Sequence, residues 1–274
     1  MAADGGRHPL EDGCPPLWAS GWGQDQYGVF VTFAVGRVEQ RLRWIRPGSF
    51  LMGSPEGEEG RWSDEGPQHQ VRITRGFWLG DTPVTQAMWE AVTGENPSEF
   101  KGDPQRPVET VSWEDCQRFC AALDEHVPGL GARLPTEAEW EYACRARTRT
   151  ARYSDVLEVN GEPASLDDIA WYWENSGKET HPVGQKLANA WGLHDTLGNV
   201  WEWCMDSMRK YSSEAQQDPG RHASSAAAGE SRVYRGGAWS YGAGNVRAAS
   251  RSADDPGARI DALGLRLARD QEVR

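Results

Sequence analysis

The residue types best suited to chemistry gather in Gly192-Leu-His-Asp-Thr-Leu-Gly-Asn-Val-Trp-Glu-Trp203. Asp195 and Glu202 are oxygen-donor acids seven residues apart, and Gly198 and Asn199 between them permit the backbone turns that aim carbonyls at a hard cation such as calcium. The same spacing suits an Asx-type turn with Trp201 and Trp203 anchoring a strand, so both readings stand at this point. Five cysteines, Cys14, Cys116, Cys120, Cys144 and Cys204, contain no C-x-x-C pair, which indicates neither a disulfide framework nor a zinc knuckle. Six histidines are dispersed without H-x-H or H-x-x-x-H spacing, and G-x-S-x-G, G-x-G-x-x-G and P-loop motifs are absent. The loop from Ser54 to Gly66 sets Glu56, Glu58, Glu59, Asp64 and Glu65 against Arg61 alone; a solvated surface loop is expected there rather than a cation site.

The elements that must position these residues are unevenly announced. Ser112-Trp-Glu-Asp115 and Thr136-Glu-Ala-Glu139 place a hydroxyl three residues before an acid, which predicts capped helices over 112–126 and 136–146, and Thr85 opens a further helix over 85–93. Cys116 and Cys120 then share one face of a helix as a core stripe. Strands are expected at 27–35, 40–45, 50–52 and 70–79 from their β-branched and aromatic content. From 150 to 234 the sequence reads as loops, and a final apolar alternation runs over 263–268.

Composition narrows the class. The 274 residues carry a formal net charge of −12, which argues against a phosphate-tracking nucleic-acid binder or an anionic-membrane binder. No stretch approaches the roughly 18 apolar residues of a membrane span. The start MAADGGRHPLEDG lacks an export signal, so a cytoplasmic location is expected. Residues 1–16 are expected to be loosely attached, and 17–274 to form one α+β domain with many loops. Only four of the 29 basic residues are Lys, an arginine excess that reflects either genome composition or a demand for planar, multidentate pairing.

Several ordered motifs over residues 40–270 resemble the formylglycine-generating enzyme, or sulfatase-modifying factor, family. They include Pro47-Gly-Ser-Phe-Leu-Met-Gly-Ser54, Asp64-Glu-Gly-Pro-Gln-His69, Pro107-Val-Glu-Thr-Val-Ser-Trp113, Arg133-Leu-Pro-Thr-Glu-Ala-Glu-Trp-Glu141, Gly198-Asn-Val-Trp-Glu-Trp203, Arg235-Gly-Gly-Ala-Trp239 and Gly264-Leu-Arg-Leu267. The resemblance implies a loop-rich α+β, C-type-lectin-like fold. It also implies a structural calcium held by the side chains of Asp195 and Glu202 and the carbonyls of Gly198 and Val200. A second family calcium site, resembling Asn175 and Ser176, is not expected because the acidic loop that completes it is missing.

Formylglycine-generating members hold copper with two cysteines after the Arg-Gly-Gly motif, soft thiolates being suited to Cu(I). Residues 236–274 contain no cysteine, so no copper is expected. The framework over 236–270 instead resembles the variable region of proteins diversified by retroelements. There, Trp239, Ser240, Tyr241, Gly242, Asn245, Ser250, Ser252, Asp254, Ala258, Ile260, Asp261 and Ala262 are the candidate ligand-binding residues. All but Trp239 could arise from Asn codons altered at their adenines. A noncatalytic binding protein for a protein or other ligand follows. The rival is a metal-dependent oxidoreductase assembled from dispersed residues such as Cys204, His194 and His222.

Overall fold

The protein, seen in a computed structural model, is described over residue 10, residues 15–220 and residues 230–271. His8, Cys14, His222 and most of the tail expected over residues 1–16 lie outside the described residues. The β-branched amino-terminal runs form β1 (Gly21–Asp25), β2 (Gly28–Val35) and β3 (Val38–Ile45), an antiparallel meander. Val35 faces Val38 across a two-residue turn, where Gly36 supplies the left-handed backbone at φ 61°. Next, β4 (Gly48–Met52) and β5 (His69–Ile73) pair across the acidic loop, and β6 (Phe77–Gly80) returns to β3.

The single strand expected over 70–79 is thus two strands in two sheets. A Cβ at Gly76 would stand 2.1 Å from the Trp44 ring, so the backbone passes directly beneath the indole there. At Thr74 the amide donates to the Asp218 carboxylate at 2.8 Å rather than continuing a ladder.

The helices begin where their caps predict. In α1 (Gln86–Thr93) and α2 (Trp113–His126), the hydroxyls of Thr85 and Ser112 accept from the amides of Met88 at 3.2 Å and Asp115 at 3.0 Å. The two helices pack through stacked Trp89 and Phe119 rings with centroids 4.6 Å apart, and Cys116 and Cys120 are buried in that core. After β7 (Ala132–Arg133) comes α3 (Glu137–Arg145), whose cap Thr136 accepts from the Glu139 amide at 3.1 Å.

Regular structure continues through 150–234, where loops were expected. It comprises β8 (Glu158–Val159), β9 (Glu162–Pro163), the one-turn α4 (Leu166–Ile169), β10 (Trp201–Ser207), β11 (Gln216–Gln217) and β12 (Arg232–Arg235). The chain ends in β13 (Arg251–Asp254), β14 (Leu263–Gly264) and β15 (Ala268–Asp270). A six-stranded sheet runs β1-β2-β3-β6-β15-β7, a four-stranded sheet β13-β12-β10-β14, and a three-stranded sheet β11-β5-β4, with β8 and β9 as a separate hairpin. Few helices among many short strands and long connections make this a loop-rich α+β fold.

The helix α3 is buried along its whole length although it carries three glutamates. Each is neutralised by arginine. Glu137 takes the Arg251 guanidinium at 2.7 and 2.9 Å, Glu139 takes Arg133 at 2.7 and 2.9 Å, and Glu141 is shared by Arg145 at 2.8 Å and by Arg235. Multidentate guanidinium pairing inside the molecule therefore accounts for a share of the arginine excess, since a buried carboxylate needs every lone pair engaged. The acidic loop is not simply solvated either. Glu65 is fully buried and pairs with Arg247, as does Glu58, whereas Glu56 and Glu59 are exposed. Burial alone would push the Glu65 carboxyl up; the hydrogen bonds from Arg247 and Ser54 outweigh it and hold the carboxyl below its ordinary value.

Candidate functional site

The loop from Asp195 to Glu202 is built on left-handed backbone at Asp195, Gly198 and Asn199. Asn199 organises it: its side chain accepts from the His181 amide at 3.0 Å and donates to the His181 carbonyl at 2.9 Å, while its own amide donates to the Trp171 carbonyl at 2.7 Å. Trp203 anchors the far side through its indole N–H, 3.0 Å from the Val111 carbonyl. Protein hydrogen bonds thus hold the turn on both sides.

Both acids are buried, but they are not equivalent. Glu202 accepts from the Trp140 indole at 2.6 Å and from Arg266 at 2.7, 2.9 and 3.1 Å. Asp195 accepts from the Gly184 amide at 2.7 Å through one oxygen, while its Oδ1 is buried without a hydrogen-bond partner. The two carboxylates repel each other, and Arg266 offsets that repulsion. Burial is what pushes the Asp195 carboxyl up from its ordinary value. An orphaned carboxylate oxygen fits a cation; Glu202, with two hydrogen-bond contacts on each of its oxygens, has less to offer one.

The thiols lie elsewhere. Cys116, Cys120, Cys144 and Cys204 are buried, and burial pushes the Cys120 and Cys144 thiols up to about 12 and the Cys116 and Cys204 thiols well above their ordinary value. Such thiols stay protonated, which is unfavourable for metal binding or nucleophilic attack. Of the rival oxidoreductase set, Cys204 is closed in the core, His194 bonds the Lys186 carbonyl at 2.8 Å, and His222 lies outside the described residues. Among the described residues, no group of three or more His, Cys, Asp or Glu side chains is placed to hold a metal.

The carboxy-terminal candidates divide. Ser250 and Ala262 are 1% and 2% exposed and Trp239 is 9% exposed, its indole donating to the Asp261 carbonyl at 3.1 Å, so these three serve the interior rather than a display surface. Ser240, Gly242, Asn245, Ser252, Asp254, Ala258, Ile260 and Asp261 are half-buried and Tyr241 is exposed. Several converge on an aromatic chain in which Tyr241 meets Trp201 edge-on at 5.4 Å, Trp201 meets Tyr234 at 5.2 Å, and Tyr234 meets Trp203 at 5.4 Å. Ser252 on β13 faces Tyr234 on β12, and Asp254 faces Arg232, whose guanidinium lies 3.9 Å over the Trp113 ring.

Sequence reasoning missed Trp173. Its amide donates to the Tyr241 carbonyl at 3.0 Å, its ring is 52% exposed, and Lys178 lies 5.8 Å over it. The available signal was the aromatic run Trp171-Tyr-Trp173 within a polar loop.

With this geometry in place, the matches to known proteins are informative. A family model described as a sulfatase-modifying factor enzyme 1-like domain matches residues 27–271. The chain belongs to the sulfatase-modifying factor family. Within that family it is 34% identical to the formylglycine-generating enzyme of Streptomyces coelicolor over 210 residues, covering 72% of this chain and 62% of the enzyme. The chain thus spans less than two thirds of that relative's length. Among solved structures, Treponema denticola variable protein 1 superposes with a TM-score of 0.73 at 30% identity, covering 88% of this chain and 99% of that one. PvdO from Pseudomonas aeruginosa gives a TM-score of 0.72 at 26% identity, covering 87% and 97%. The resemblance to the sulfatase-modifying factor family and to variable proteins therefore extends from motifs to fold. Among the described residues, no helix is long and apolar enough to cross a membrane.

Proposed function

We propose that this family member is a noncatalytic ligand-binding protein. It presents Ser240, Tyr241, Gly242, Asn245, Ser252, Asp254, Ala258, Ile260 and Asp261, flanked by Trp173, to a protein or other ligand. The observation that carries this reading is the exposed aromatic pair Tyr241 and Trp173, set on an ion-paired scaffold whose segment 236–274 contains no cysteine. Aromatic rings give contact area at low entropic cost, and Ser, Gly, Asn and Asp give adaptable hydrogen bonding. The likeness to a variable protein supports a diversified surface here.

Purified protein tested for bound copper and iron and for oxygen consumption decides between binding and redox chemistry. Neither metal in stoichiometric amount and no oxygen uptake is expected; stoichiometric metal with oxygen consumption overturns the reading in favour of an oxidoreductase. Diversification has its own genomic test. It requires a neighbouring reverse-transcriptase gene and a near-copy of the codons for 236–270 differing at adenines.

A structural calcium belongs to this reading. Asp195, the carbonyls of Gly198 and Val200, and the Glu202 carboxylate would hold it. When bound, the ion supplies positive charge to the carboxylate oxygen that lacks a partner. The ion supports the binding surface only indirectly, through the turn that leads into Trp201 and Trp203.

A further inference from the structure

On another part of the molecule, a cleft of about 1070 Å³ opens between the β1–β2 turn, the β3–β4 connection and the end of α3, and none of its lining residues belongs to 236–270. That volume lies just above the range of small-ligand sites, roughly 300–1,000 Å³. Its wall is aromatic: Phe50 and Tyr142 meet at 5.3 Å, Tyr142 and Trp191 meet edge-on at 4.9 Å, and half-buried Trp44 also lines the space. Tyr142 is fixed by its hydroxyl, which donates to the Arg46 carbonyl at 3.1 Å, so the wall is formed in advance of any ligand.

The charge of the cleft runs against that of the chain. Arg46, Arg147 and Arg149 line it, are exposed, and make no ion pair among the described residues, whereas the buried arginines are paired with acids or with carbonyls. The lining's one carboxylate, Asp25, is already paired with Arg43 at 2.7 Å. Arg147 also sits at φ 79° directly after Ala146 at φ 42°. Two successive left-handed residues without glycine are costly, and here they form the turn by which α3 delivers Arg147 and Arg149 to the cleft.

We propose that this cleft binds a small organic anion: a flat aromatic body against the Phe50, Tyr142 and Trp191 rings, with an oxyanion head group held by Arg46, Arg147 and Arg149. In a molecule of net charge −12, three guanidiniums without an ion pair among the described residues gather at one aromatic cleft and favour anions there. The aromatic wall supplies the apolar contact that inorganic phosphate cannot use.

The test titrates the full chain with 1-naphthyl phosphate, 1-naphthyl sulfate, 1-naphthoate, 1-naphthol and inorganic phosphate, followed by calorimetry and by quenching of tryptophan fluorescence. The tightest naphthyl anion is expected to bind at least about tenfold more tightly than both naphthol and inorganic phosphate, and its head group identifies the preferred oxyanion. Arg147→Gln with Arg149→Gln should weaken it at least about tenfold with an unchanged melting curve, and Arg46→Gln should weaken it separately. Tyr241→Ala should leave it unchanged, which keeps this site distinguishable from the surface at 240–261. Equal binding of naphthol, equal binding of inorganic phosphate, absence of binding, or wild-type affinity in the arginine variants each overturns the proposal.

Discussion

Asp195 has one carboxylate oxygen in a hydrogen bond and the other buried without a donor, an arrangement that costs free energy until something fills it. If calcium does, chelation should lower the melting temperature, because an ion that binds the folded chain stabilises it by about 2.7 kcal/mol at a hundredfold excess over its dissociation constant. Asp195→Ala should remove most of that sensitivity. A melting curve indifferent to chelator in protein shown beforehand to carry calcium would refute the structural role. Asp206 gives a second prediction at this scale. Burial and the neighbouring Glu137 carboxylate push its carboxyl up from 3.8 to about 7. The folded state then holds a proton that the unfolded state has released, so the stability from this group is present at low pH and is lost as pH rises from about 4 towards about 7. Asp206→Asn keeps an acceptor for the Glu137 amide and should gain stability relative to wild type across that interval, by no more than about 1.4 kcal/mol per pH unit, then level off. Parallel melting curves of the two proteins from pH 4 to pH 8 would refute it.

Within elements, α3 carries the largest electrostatic stakes. Glu141 holds both Arg145 and Arg235 in the interior, and Glu141→Gln leaves two guanidiniums undercompensated there. Denaturant unfolding should register a loss of about 3–5 kcal/mol, the cost of breaking a buried pair from one side. The starts of α2 and α3 were legible in the sequence because a hydroxyl and an acid three residues apart act locally, and that of α1 because Thr85 alone caps it. The strand β10 was not. Trp201, Glu202, Trp203 and Cys204 are all buried, so no in-and-out alternation marks it. The break between β5 and β6 escaped notice for a related reason, since it depends on Trp44 passing over Gly76, a contact that no local window contains. Motif spacing found Asp195 and Glu202, yet the Arg266 that compensates Glu202 lies 64 residues further on.

Across the whole molecule, the proposed display surface can be tested apart from its support. Tyr241→Ala and Trp173→Ala remove exposed rings, so each should cost about 1 kcal/mol or less in stability while abolishing capture of the cognate ligand. A loss of binding that merely tracks a loss of folding would refute the assignment. Trp173 could not be tied to Tyr241 from sequence, because the two meet through a backbone hydrogen bond between distant loops. The support is long-range throughout. Arg247 reaches back 182 residues to Glu65, and β15 enters the six-stranded sheet between β6 and β7. During synthesis, then, β6 and β7 leave the ribosome with unpaired edges and the turn at 243–247 has its acidic partners waiting, until the residues of β15 emerge and close the sheet. Until then the nascent chain is exposed to wrong edge pairing, and the six-stranded sheet is complete only after almost all of the described chain has been made.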